Sequence, residues 1–172
     1  MKFLISKIIF FFLIINISSA NENIRFININ YIVNNSNAGK VLNNLIEKKS
    51  KKFSNELNKI GKSLEDEKNK ILSQKNILKK EEFEKLIKEY DVEVRKFNEK
   101  RKKKTNELTN FTAKSKTKIL DLLNPLIKDY LKKESIQILL QKEKIIFGDE
   151  KLDITKEILN SFNDKYKNMK FE

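Results

Sequence analysis

Glu65-Asp66-Glu67 and Glu81-Glu82-Glu84 are acid clusters of the kind that hold a divalent cation or share a proton in acid/base catalysis. Neither lies in a segment expected to fold into a pocket, so both read as solvated helix faces. The chain has no histidine and no cysteine. No glycine-rich phosphate loop, CxxC pair, His-bearing metal spacing or Ser/His pair can be assembled from it. An enzyme is therefore not expected, and neither is a cofactor or a resident metal. One run of a different character remains, the basic block Lys100-Arg101-Lys102-Lys103-Lys104. It reads either as a solvated stretch or as a cationic segment facing an anionic, heterogeneous ligand. Nearby, Phe83, Tyr90, Phe97 and Phe111 are spaced by multiples of seven. That spacing suits packing within a helical seam, with ligand-facing aromatics as the alternative.

These side chains must be positioned by helix. Residues 40 to 124 contain no proline and one glycine, Gly61. Apolar residues recur there at steps of three and four in two runs. The first is Phe53, Leu57, Ile60, Leu64, Ile71 and Leu78; the second is Phe83, Ile87, Tyr90, Val94, Phe97, Leu108, Phe111 and Leu122. Each run forms one stripe along a helix, and each needs a partner to cover it. An antiparallel hairpin supplies that partner within the chain, reversing near Leu78 to Glu81; a continuous rod is the alternative. Arms of roughly 40 residues reach about 60 Å, too far to belong to a compact globule. The seam loses its apolar residues at Arg101 and Lys104.

The flanks read differently. Ile24 to Ile29 has the β-branched character of a strand. Asn30 to Asn37 is a polar bend, and Ser36 or Asn37 caps the first arm, which runs to about Asn76. The second arm extends from Glu82 to Glu134, with a kink expected at Pro125. Ile136 to Leu140 and Lys144 to Phe147 read as a two-stranded hairpin. Asp153 caps a last amphipathic helix carrying Ile154, Ile158, Leu159 and Phe162, and the tail after Tyr166 is expected to fray. The fold class is α+β, a small β body bearing a long antiparallel coiled-coil hairpin. The body takes residues 21–37 and 126–172 and the arm 38–125.

The N-terminus opens with Lys2 and Lys7, continues apolar from Ile8 to Ile17 apart from Asn16, and ends Ser18-Ser19-Ala20. A basic start, a short apolar core and small residues at the cut make a secretory signal, cleaved after Ala20. Cleavage removes two lysines and no acid, so the formal charge falls from +13 to +11. Such a chain attracts anionic partners, among them acidic unfolded polypeptides and anionic lipid surfaces. Export makes nucleic acid the poorest of these. Lysine, asparagine and isoleucine recur throughout, the mark of an AT-rich genome, so codon bias supplies part of the basic excess. The small body would bury little apolar surface alone, which favours oligomerisation.

The order of parts resembles the Skp/OmpH family of periplasmic chaperones. The resemblance rests on the signal, the strand, the charged hairpin and three C-terminal stretches. These are Ile136-Gln137-Ile138-Leu139-Leu140, Lys144-Ile145-Ile146-Phe147-Gly148 and Leu152-Asp153-Ile154-Thr155-Lys156-Glu157-Ile158-Leu159. It implies a homotrimer in the periplasm whose strands join into a central body. Three arms would then enclose unfolded outer-membrane proteins without ATP. On this chain the trimer body would draw on Ile27, Ile29, Ile138, Leu140, Ile146 and Phe147. Client contacts would come from Phe97, Arg101, Lys102, Lys103, Lys104 and Phe111. A structural coiled-coil tether, binding anionic lipid or cell-wall polymer, is the competing reading.

Overall fold

The structure is a computed structural model that describes residues 23–171, so the signal at residues 1–20 lies outside the described part. A short strand, β1 (Ile24–Ile27), leads into a seven-residue helix, α1 (Ile29–Asn35). Two long helices follow, α2 (Asn37–Ser73) and α3 (Lys80–Lys133). The chain closes with β2 (Ile138–Gln141), 3-10 turns at Lys142–Lys144 and Glu150–Leu152, and α4 (Thr155–Lys165). The hairpin expected from the heptads is present, and the continuous rod is excluded.

Its tip is a turn between Ser73 and Lys80, slightly earlier than expected. With neither glycine nor proline available, the reversal is made by residues leaving helix one at a time. Gln74 N–H donates to Ile71 O at 3.1 Å, and Ile77 and Leu78 N–H both donate to Gln74 O at 3.0 Å. At the far end α3 carries Pro125, the position of the expected kink, within its length and continues to Lys133. It stops at Ser135, whose φ of 51° lies in the left-handed region. Ile136 N–H then reaches back to Leu131 O at 2.9 Å, tying off a carbonyl of the last turn.

Residues 30 to 37 are not a polar bend. Asn28 caps α1 by accepting from Tyr31 N–H at 2.7 Å, and Ile32 and Val33 are buried on its inner side. Ser36 is fully buried at the corner and accepts from Gly39 N–H at 3.0 Å, capping α2 as expected. The corner is tight enough to exclude a side chain at Gly39, where a Cβ would sit 2.0 Å from Val33 O.

The expected two-stranded hairpin at residues 136–147 does not form. β2 pairs instead in parallel with β1, in the register Ile24↔Ile138 to Ile27↔Gln141. A parallel pair needs a long crossover connection, and here the entire helical hairpin provides it. Lys144 to Phe147 is not a strand, because the chain turns at Lys142–Lys144 and leaves Ile146 and Phe147 88% and 93% exposed. Nor has β1 an open edge. Its second side is taken by an isolated bridge to Asp153, with Ile154 N–H donating to Phe26 O at 3.0 Å.

The core gathers where these elements meet the root of the hairpin. Ile27, Ile32, Val33, Leu42, Ile119, Leu123, Ile154, Ile158 and Phe162 form one buried cluster. Ile27, expected at a contact between copies, is 1% exposed and belongs to the chain's own core; Ile29 begins α1 and packs against that core. The cluster climbs into the arm, so Leu42 and Ile119 serve the body. The tail does not fray. Tyr166, Met169 and Phe171 pack on the core, and Lys118 Nζ donates to Lys170 O at 3.1 Å.

Asp153 joins three parts of the body. Its Oδ1 accepts from Thr155 N–H at 2.9 Å at the start of α4, and its Oδ2 accepts from Lys142 Nζ at 2.5 Å. Burial pushes its pKa upward, but the hydrogen bonds from Lys142 and Thr155 and the lysine charge outweigh this and hold it below the ordinary 3.8. A carboxyl depressed in the folded state adds stability above its unfolded value and loses it as pH falls through the folded one. Asp153→Asn is therefore expected to lower stability to urea by about 1 kcal/mol at neutral pH. The difference from the parent should shrink below pH 3.8, and a constant difference across that range would remove Asp153 from the acid response.

Candidate functional site

The two arms pack in a register that can be followed outward from the root. Lys49 Nζ lies 4.8 Å over the Phe111 ring, and Lys104 Nζ lies 4.4 Å over that of Phe53. Farther out, Lys100 Nζ pairs with Glu56 at 2.7 Å, and the ring of Phe97 faces Gly61. The seam interruption therefore falls on Lys100 and Lys104 rather than on Arg101. Both lysines turn toward α2 and share Glu56, Lys104 at 3.8 Å. The hydrogen bond from Lys100, with the neighbouring lysine charges, holds the Glu56 carboxyl below its ordinary pKa against the opposing effect of burial. Polar contacts thus cross the seam where apolar ones are missing. Pairs this exposed hold the register more than they stabilise it.

Beside the seam the arms leave a groove of about 810 Å³. Its apolar lining is Phe53, Leu57, Phe97 and Leu108, and Lys62, Arg101 and Lys104 bring positive charge. Smaller depressions extend it both ways along the hairpin. One toward the tip shares Gly61, Glu65 and Phe97, and another toward the root shares Leu108 and Thr109. The groove is long, shallow and open. A surface of this form suits an extended, variable polypeptide better than one small rigid molecule.

The residues singled out from sequence divide into three sets. Phe97, Arg101 and Lys104 come together at the groove, although Lys104 is also engaged with Glu56 and Phe53. Lys102 and Lys103 lie elsewhere on α3, beside a depression shared with Glu99, Asn106, Glu107 and Asn110. Phe111 is at the root, half-buried, packed against the core and covered by Lys49. Leu57 and Leu108 were visible as seam residues but not as groove lining. Glu56 was missed altogether. Its pairing with Lys100 follows once Gly61 is set opposite Phe97, a register that no single heptad reveals. On the body, Ile138 and Leu140 are 45% and 43% exposed along β2, and Ile146 and Phe147 project beyond them. Among the described residues no cluster of acids, including Glu65-Asp66-Glu67 and Glu81-Glu82-Glu84, is arranged to hold a metal ion.

Comparison with known proteins bears directly on this arrangement. A family model described as outer membrane protein (OmpH-like) matches residues 23–162, from the start of β1 well into α4. The chain belongs to the OmpH-like family. Its fold is similar to a crystal structure from Caulobacter crescentus CB15 of a protein proposed as an OmpH-like outer membrane chaperone, with a TM-score of 0.77 at 16% identity. The similarity covers 89% of this chain and 90% of that one. Among curated proteins no sequence matches. At such low identity the likeness concerns the fold, and the groove described above is built from this chain's own residues.

Gly61 lines the groove opposite Phe97. A Cβ there would lie 3.8 Å from the Phe97 ring, in ordinary contact and without strain. Gly61→Ala is expected to raise stability by about 1 kcal/mol through helix propensity alone. Gly39→Ala, forced against Val33 O, should lower it by about 2 kcal/mol or more. Urea melts of the two variants check the contrast, and equal effects would contradict the packing at both sites.

Proposed function

We propose that this OmpH-like protein is an ATP-independent periplasmic holdase that captures unfolded outer-membrane proteins and prevents their aggregation. The observation that carries the reading is the long open groove, apolar where Phe53, Leu57, Phe97 and Leu108 line it and cationic at Lys62 and Arg101. It sits on an arm too long to serve the core. Family membership supports a chaperone role in general, with binding and no catalysis. A holdase must accept many sequences loosely, so contacts that are individually weak and numerous are an advantage. Nucleotide is unnecessary under this reading. A client that folds into a stable membrane barrel withdraws the segments the arms had held, and release follows by mass action.

The working unit is proposed to be a homotrimer. Support comes from the body, where β2 lies at the edge of a two-stranded sheet and Ile146 and Phe147 stand almost fully in solvent. An exposed edge beside exposed apolar side chains is unfavourable for a lone chain and is relieved by pairing with copies of itself. Closing three bodies together would bring three grooves around one client.

Light scattering, as a urea-unfolded outer-membrane barrel is diluted into buffer with residues 21–172 and no nucleotide, tests the main reading. Suppression saturating near one client per three chains is expected; none from folded protein would shift the assignment to the envelope tether. Lys102→Gln with Lys103→Gln should weaken capture roughly two- to fivefold at low ionic strength and little in high salt. Affinity unchanged at every salt concentration would reduce that part of the basic block to a solvated face. For assembly, Ile138→Asp with Ile146→Asp is expected to yield monomers by light scattering coupled to gel filtration. A trimer retained by the double variant would place the joint elsewhere.

A further inference from the structure

The family match ends at Phe162, and beyond it the chain lays a tail back across the body. α4 stops at Lys165, and Tyr166 stacks on Phe162 with ring centroids 4.9 Å apart. The tail then reaches the root of α3, where Lys118 Nζ donates to Lys170 O at 3.1 Å and lies 5.9 Å from the centre of the Phe171 ring. Tyr166, Met169 and Phe171 are half-buried against the core cluster that includes Ile119, Leu123 and Phe162. Lys167, Asn168 and Lys170 face solvent. The inward, outward, inward order at 169 to 171 is that of an extended segment seated on an apolar floor.

The seat is fitted to polypeptide in general more than to this tail. Tyr166 N–H donates to Phe162 O as the cap of α4; among the described residues, the tail backbone makes one further hydrogen bond, that from Lys118. A backbone carbonyl is offered by every residue type, and the ammonium beside it favours any aromatic ring. The three half-buried side chains hold by apolar contact, which has no directional demand. Such a floor needs covering, and any extended chain of the same chemistry can cover it. Lys118 lies about 15 Å along α3 from Leu108, at the root end of the groove. Polypeptide lying in the groove and continuing toward the body therefore meets the tail.

We propose that residues 166–171 are the resident occupant of a second polypeptide-binding site at the root of the arm, and that an incoming unfolded segment displaces them. The proposal rests on the holdase reading and adds a subsite to it. The segment that takes the tail's place is extended, carries aromatic or large apolar side chains two residues apart, and offers a carbonyl to Lys118. Because the tail is tethered beside its seat, a free segment competes poorly, whereas one already held in the groove arrives at high local concentration.

The mature chain, residues 21–172, is compared with the same chain carrying Met169→Ser and Phe171→Ser, which leaves Tyr166 on Phe162. The probe is a fluorescein-labelled synthetic peptide with the sequence of residues 163–172, followed by anisotropy. The double variant is expected to bind it roughly tenfold or more tighter than the parent, whose own tail fills the site. A peptide carrying both serines should abolish that difference. Equal affinity of parent and double variant for the unaltered peptide would overturn the proposal. A second pair keeps the apolar contacts of the tail and decides the question if the serine variant is unstable. The chain has no cysteine, so Lys118→Cys with Lys170→Cys can be bridged by a short bis-maleimide or capped separately by a mono-maleimide. Bridging should weaken capture of a urea-unfolded outer-membrane barrel roughly threefold or more relative to the capped form, and equal capture by the two would also overturn the proposal. The peptide measurement needs no client, so a parent that binds no barrel would count against the holdase reading and leave tail exchange to be decided by the peptide.

Discussion

Everything in this molecule is hung from one four-residue strand. β1 is hydrogen-bonded on one side to β2 and on the other to Ile154, beside the bridge to Asp153, so residues from both ends of the chain meet on a single short backbone. Four residues of parallel pairing hold little by themselves, and a two-stranded sheet is marginal in water. The surrounding side chains make it stable. Ile27, Ile158 and Phe162 are buried together behind the strand, and Asn28 N–H donates to the hydroxyl of Thr155 at 2.8 Å. Because the strands are parallel, the chain between them must return to the side from which it left. The hairpin is that return path, lengthened far beyond what closure requires.

Lengthening creates the opposite problem. An arm that projects from the core has only its own seam to stabilise it, and this seam is not continuously apolar. Where Lys100 and Lys104 replace apolar residues, Glu56 and the Phe53 ring take up their charges across the hairpin. Such contacts keep the arms in register without locking them, since they are solvent-accessible and each is worth little. The groove lies along the same stretch, with Gly61 and Phe97 in its lining. A rigid, fully apolar seam would leave no such surface. For a protein proposed to hold unfolded chains, weak closure and an available apolar lining are two aspects of one sequence choice.

Charge is distributed to match. On the arm, lysines serve three purposes that composition alone cannot separate: those at 49 and 104 cover aromatic rings, that at 100 crosses the seam, and those at 102 and 103 face outward. A uniform electrostatic account of the basic excess is therefore inadequate. Substitution at 104 would disturb the hairpin itself, whereas substitution at 102 or 103 would alter only the field around it.

The helical hairpin, its antiparallel sense, the Ser36 cap and the final amphipathic helix were determined by local pattern, because heptad spacing and capping chemistry act within a few residues of their origin. Ile138 to Gln141 looks like half of a local strand pair on propensity alone. Its actual partner, β1, is more than a hundred residues away, and no local preference encodes a parallel register. Likewise the polar residues from Asn30 to Asn37 suggested a bend, yet Ile32 and Val33 find a core assembled from distant segments, and their burial carries α1 into helix. Phe111 and Ile27 fit proposed contact surfaces by type, but packing had already placed one against the root and the other inside the core. The sequence by itself settled that the two arms and the last amphipathic segment are helical. Only tertiary structure decided which strand meets which, which lysines are free and where the groove opens, because each depends on pairing between residues far apart in the chain.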